Sequence, residues 1–162
     1  MTDSTQSQGQ AAMDTSPPAH LHVIVGYDGT PPASRALDAA VRLLRGREGS
    51  IEVVYVAHVP GVDMLSADAI VEARADFDEI EKEVRGSAAA RLDGRGVTWE
   101  FRRHDGLIAD ELIAAVTAGR DTRPGDTQLI LVGSSSHASH RVIGSVAVSL
   151  ARRCPVPLVI VP

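Results

Sequence analysis

The chain has 162 residues and a net charge of −5, a length that suits one domain with a single sizeable core. The acidic balance, the 3% aromatic content and the single lysine, Lys82, argue against a nucleic-acid surface, a base-stacking platform and a Walker-type lysine. No apolar run is long enough to cross a membrane or to serve as a signal-peptide core, so the chain reads as soluble and cytoplasmic, with no membrane partner.

Residues 1–18 have no apolar period and few large side chains, which predicts a disordered tail ahead of one domain over 19–162. Residues 22–27, HVIVGY, form a short apolar run of the kind buried on both faces of a parallel sheet. Thr30 can cap the helix that follows, with Pro31 at its first position, where a missing N–H is harmless. Ala33, Ala36, Leu37, Ala40, Val41 and Leu44 then recur at helical spacing.

Residues 51–59 make a second apolar strand. Residues 66–92 make the longest helix, with Ile70, Ala73, Phe77, Ile80, Val84, Ala88 and Leu92 as its buried stripe. Val97, Trp99 and Phe101 alternate with Thr98, Glu100 and Arg102, the pattern of a half-exposed strand at a sheet edge. A third helix starts at Ile108 and is expected to end near Gly119. Residues 129–132 form a fourth strand, 142–153 a fourth helix, and 158–161 a fifth strand.

The order βαβαβαβαβ implies a three-layer, doubly wound parallel sheet of Rossmann-like type. Placing the alternating third strand at an edge favours the order 3-2-1-4-5. Strands one and four then meet at the switch point, where a ligand crevice forms outside their carboxyl ends. The loops leaving them begin at Asp28 and Gly133.

Several side chains near those loops carry chemistry. Asp28, in GYDGT, is either an acceptor for a nucleotide's base or ribose or a turn residue; alone, the turn is the more common outcome. Gly133 with Ser134, Ser135 and Ser136, followed by Gly144 and Ser145, can cradle a phosphate with hydroxyls and a helix N-terminus. The same residues also fit a flexible loop with Ser145 as a cap. His137, His140 and Arg141 can add charged contacts to that loop. The two histidines lack a cysteine or firm third ligand nearby, so no metal site is read there.

His58 and His104, near the ends of strands two and three, are crevice bases or satisfied structural histidines. Cys154 continues the stripe Ile143, Val146, Ala147 and Leu150 and reads as core. As the lone cysteine it cannot form an internal disulfide. No nucleophile elbow, GxGxxG after strand one, or paired-carboxylate set is present, so no catalytic residues are assigned. The apolar final strand, 158–161, exposes an edge that a symmetric pairing of two copies would cover.

With those residues in place, the chain resembles the universal stress protein family over its whole predicted domain. The resemblance rests on VGYDGTPPASRAL near the start, the strand ending Ala57-His58-Val59, and VGSSS with GSVAVSLARRCPVPLVIVP at the end. It implies a five-stranded α/β domain that dimerises through the last strand, Leu158 to Val161.

The resemblance also implies the adenine nucleotide alpha hydrolase-like form of this fold, and one branch of the family binds ATP, with Mg2+ expected beside it, between strands one and four. In that branch the counterparts of Asp28 and the Val59 backbone hold the adenosine part. The counterparts of Val132 and Gly133 line the pocket, and those of Gly144, Ser145 and Val146 meet the triphosphate. Ser136 stands where that branch has glycine, and the seven residues between Ser136 and Gly144 make a shorter loop than the family's. A Cβ at Ser136 restricts close backbone approach.

The resemblance therefore implies an ATP-binding dimer acting as a stress-response regulator or sensor, with at most slow hydrolysis. The alternative is a nucleotide-independent dimeric interaction protein of the same fold. A small hydrolase using His58 or His137 ranks last.

Overall fold

The computed structural model describes residues 20–58, 67–134 and 144–162, with side chains left undescribed over 67–77. The predicted tail, Val59 at the expected end of the second strand, Ser66 at the expected start of the second helix, the loop residues Ser135, Ser136, His137, His140 and Arg141, and Val142 and Ile143 of the expected fourth helix lie outside the described residues.

Nine elements alternate along the chain. They are β1 (Leu21–Gly26), α1 (Pro31–Leu44), β2 (Gly49–Ala57), α2 (Ala67–Leu92), β3 (Thr98–Asp105), α3 (Ile108–Thr122), β4 (Thr127–Gly133), α4 (Ser145–Arg153) and β5 (Leu158–Val161). The five strands form one sheet in the order β3-β2-β1-β4-β5, and every pairing is parallel. The order expected from the alternating β3 sequence is the one the sheet adopts.

Strand parity divides the core. Val23 and Val25 of β1, with Tyr27 just beyond it, pack with Ile51, Val53 and Tyr55 of β2 against α1 and α2. Ile24, Val54, Ile130 and Val132 point the other way and pack against α3 and α4 through Leu112, Val116, Ala147 and Leu150. Alternation within a strand sends neighbours to opposite faces, so the apolar run Val23–Val25 of β1 feeds both layers at once.

Edge strand β3 uses its alternation the same way. Trp99 and Phe101 pack onto the α1–α2 layer, while Glu100 and Arg102 meet in an ion pair on the other side. Cys154 packs against the α3–α4 layer as a core residue.

Two local expectations need correction. Gly119 does not end α3, which continues to Thr122. A Cβ there would lie 2.8 Å from the buried Gln128 amide, so the glycine lets a β4 side chain press against the helix. Ile80 is not part of the buried stripe of α2: it is 43% exposed, whereas Val84, Ala88 and Leu92 are buried. Val84, Ala88 and Leu92 hold the later turns of α2 against the core.

The amino end of the sheet holds a polar network. His22 is fully buried, and Glu52 nearly so. The His22 ring meets Ser50 Oγ through Nδ1 and Glu52 Oε2 through Nε2, each at 3.0 Å. Arg123, the C-cap of α3, brings Nη1 to 3.1 Å from the same Nε2 and donates through Nη2 to Glu100 Oε1 at 2.9 Å. Arg102 donates to the other Glu100 oxygen. Burial opposes the charge of Glu100, but the Arg123 hydrogen bond and the Arg102 charge outweigh it and hold the carboxyl below the usual glutamate range.

Candidate functional site

At the carboxyl end of the sheet the chain leaves β1 and β4 in opposite directions, and a cavity of about 420 Å³ opens between them. Asp28, Val132, Gly133, Gly144, Ser145 and Val146 all line it. These residues, spread over more than a hundred positions of sequence, come together because β1 and β4 are neighbours. The expected contributors Val59 and Ser136 lie outside the described residues.

The β1–α1 turn sets the Asp28 side of the cavity. Gly29 has φ of +80°, a conformation that favours glycine, and this turns the chain back so that Thr30 faces Asp28. Asp28 Oδ1 accepts from the Thr30 amide at 3.0 Å and from the Thr30 hydroxyl at 2.6 Å. Pro31 and Pro32 then occupy the first two positions of α1. Neither carries an N–H, and the next amide, Ala33, reaches the Thr30 hydroxyl at 3.5 Å. The start of α1 thus offers the cavity little to hold an anion.

The start of α4 is built differently. Gly144 is its N-cap, and among the described residues no side chain caps it. The first bond of the helix runs from the Val148 amide to the Gly144 carbonyl at 3.0 Å. The Ser145, Val146 and Ala147 amides lie ahead of that bond, at the positive end of the helix dipole. Arg152 and Arg153 sit in the last turn, at the negative end.

Gly133 sits between the two helix starts. A Cβ there would come within 2.3 Å of the Pro32 carbonyl carbon and 2.7 Å of the Ala33 amide nitrogen. Both are backbone atoms that cannot step aside, so glycine is required for β4 to pass so close to α1. Just beyond it the Ser134 amide donates to the Val161 carbonyl, which ties the cavity floor to β5.

The wall between these ends was not read from the sequence. Val54 and Val56 of β2 and Ile108 and Leu112 of α3 form it. The signal was available: the two valines share a strand face, and the two α3 residues are four apart on one helical face. Asp28 is the one acidic or basic side chain among the described lining residues.

His58 and His104 do not line the cavity. The His58 ring meets the Gly106 carbonyl at 2.9 Å, and His104 meets Glu111 at 2.9 Å. Both are engaged in holding strand ends to α3 and its preceding turn. The cavity as described therefore suits binding: an acceptor at one end, apolar walls, and helix amides at the other.

The universal stress protein family matches residues 20–162, and the chain belongs to that family. It is 29% identical over 149 residues to the universal stress protein YxiE of Bacillus subtilis, covering 85% of this chain and 97% of that one. A universal stress protein structure from Burkholderia pseudomallei is 28% identical with a TM-score of 0.59, over 87% of this chain and 95% of that chain. A universal stress protein solved in complex with cAMP is 26% identical with a TM-score of 0.57, over 88% of this chain and 97% of that one. Among the described residues no helix is long and apolar enough to cross a membrane.

Proposed function

We propose that this chain binds an adenine nucleotide, ATP with Mg2+ in the first instance, in the crevice between β1 and β4. Asp28 and the Val59 backbone take the adenosine part. Val132 and Gly133 line the middle, and Gly144, Ser145 and Val146, with Ser136, receive the phosphates. The observation that carries this reading is the unequal pair of helix starts. The proline-led start of α1 stands beside an acidic acceptor, while the start of α4 carries no side-chain cap among the described residues. An anionic group is favoured at α4 and disfavoured at Asp28, which gives a nucleotide one orientation. The family relative in complex with cAMP supports an adenine ligand.

The protein acts as a cytoplasmic homodimer in stress regulation or sensing, with hydrolysis slow at most. Two copies pair through β5, whose residues are apolar and whose Val159 is 38% exposed. No base stands beside the described phosphate end to activate water.

Serine at position 136 and the short loop to Gly144 favour one competing reading, a dimeric interaction protein that works without nucleotide. Calorimetric titration of MgATP, with AMP and cAMP as parallel ligands, separates the two. Saturable binding that weakens in Asp28→Ala and in Ser145→Ala supports the nucleotide reading. A flat titration for all three ligands supports the interaction protein.

A further inference from the structure

Thr30 is more than a helix cap. A capping threonine ordinarily accepts from the second or third amide of its helix. In α1 the second position is Pro32, and the third amide, Ala33, lies at the 3.5 Å limit. The Thr30 hydroxyl makes its short bond in the other direction, donating to Asp28 Oδ1 at 2.6 Å. That distance falls in the range of a hydroxyl bound to a carboxylate. The Thr30 amide donates to the same oxygen at 3.0 Å.

Two donors on Oδ1 fix the plane of the carboxylate and, among the described residues, leave Oδ2 as the oxygen with open capacity. Asp28 lines the crevice and is the one acidic or basic side chain among the described residues that do.

We propose that Thr30 is a positioning residue for ligand recognition, holding Asp28 as an oriented, acceptor-only carboxylate. It presents Oδ2 to a ligand group that donates a hydrogen bond, a sugar hydroxyl or an exocyclic amine. The same arrangement repels a ligand's anionic end, because Pro31 and Pro32 remove the amides that would offset the carboxylate's charge. This inference rests on the nucleotide reading above. It adds a residue to that reading and a reason for the orientation.

The test is a double-mutant cycle read by MgATP calorimetry, with thermal unfolding run on every variant. Thr30→Val keeps the shape and loses the donor; Thr30→Ser keeps the donor. Thr30→Val is expected to raise Kd about tenfold, and Thr30→Ser to stay within about twofold of the parent. Asp28→Ala and the double variant Asp28→Ala/Thr30→Val are expected to share one Kd, since Thr30 acts through Asp28. A Thr30→Val factor that persists undiminished without Asp28 would overturn the proposal, because a plain capping role is additive. So would an unchanged Kd in Thr30→Val.

Amide exchange in the ligand-free protein separates this failure from failure of the nucleotide reading. The Thr30 amide, bonded to Asp28, is expected to lose protection in Asp28→Ala. If protection is lost while the parent gives a flat MgATP titration, the turn stands and the nucleotide reading, with its positioning role, falls.

Discussion

The two ends of this sheet put their polar groups to opposite uses. At the amino end, His22, Glu52, Glu100, Arg102 and Arg123 satisfy one another. At the carboxyl end, among the described residues, Asp28 holds one oxygen in a turn and leaves the other open, and the start of α4 has no side-chain cap. The richer collection of ionisable groups is the one that is structurally closed. A site is marked by open hydrogen-bonding capacity beside a cavity rather than by the number of charged side chains.

The largest expected effect tests the closed end. Glu52→Ala strips a partner from the buried His22 and leaves Arg123 and Arg102 less compensated. A loss of about 3 kcal/mol of unfolding free energy is expected, measured by urea denaturation. Ligand affinity of the folded fraction should be unchanged, because this network lies at the far end of the sheet. A shift in affinity would blur the contrast between the two ends.

Gly133→Ala comes next. The new Cβ strikes the Pro32 backbone, so α1 must move away from β4. A loss of about 2 kcal/mol is expected from such overpacking, together with weaker MgATP binding, since the same residues line the crevice. Parent-like stability and affinity would show that α1 and β4 are not held as closely as described.

The acid response sharpens the account of the closed end. The Glu100 carboxyl is held below its usual range by Arg123 and Arg102 in spite of burial. Its folded pKa is lower than its unfolded one, so its contribution is complete above the ordinary glutamate range, near pH 4, and is lost as pH falls through the folded value. Arg123→Gln should therefore reduce stability at pH 7 and shrink the further loss on going to pH 3. Denaturation curves at the two pH values check this.

The smallest effect belongs to the surface pair Arg85–Glu81. Arg85→Ala is expected to cost under about 1 kcal/mol, including its contact over the Phe101 ring.

Much of this was legible in the sequence because it is local. Apolar runs and helical spacing placed the nine elements, and the alternation of Trp99 and Phe101 with Glu100 and Arg102 put β3 at an edge. From that order the crevice loops at Asp28 and Gly133 followed. The closed network was not legible, because residues 22, 52, 100 and 123 meet only through strand register and the end of α3.

Gly119 misled for a related reason. Glycine after an apolar stripe signals a helix end, but here it accommodates Gln128 from the next strand. Ile80 misled because helical spacing reports a possible stripe, and whether a given turn touches the sheet depends on where the helix lies. The need for glycine at 133 was likewise a matter of distance to the Pro32 backbone, which no local pattern encodes.

The most direct measurement is an amide chemical-shift map of the protein titrated with MgATP. The account predicts saturable shifts clustered at Asp28, Thr30, Gly133, Ser134 and Gly144 to Ala147, with His22, Glu52, Glu100 and Arg123 unmoved. Shifts centred on the amino-end network, or none at either end, would contradict the claim that the open end of this sheet is the binding site.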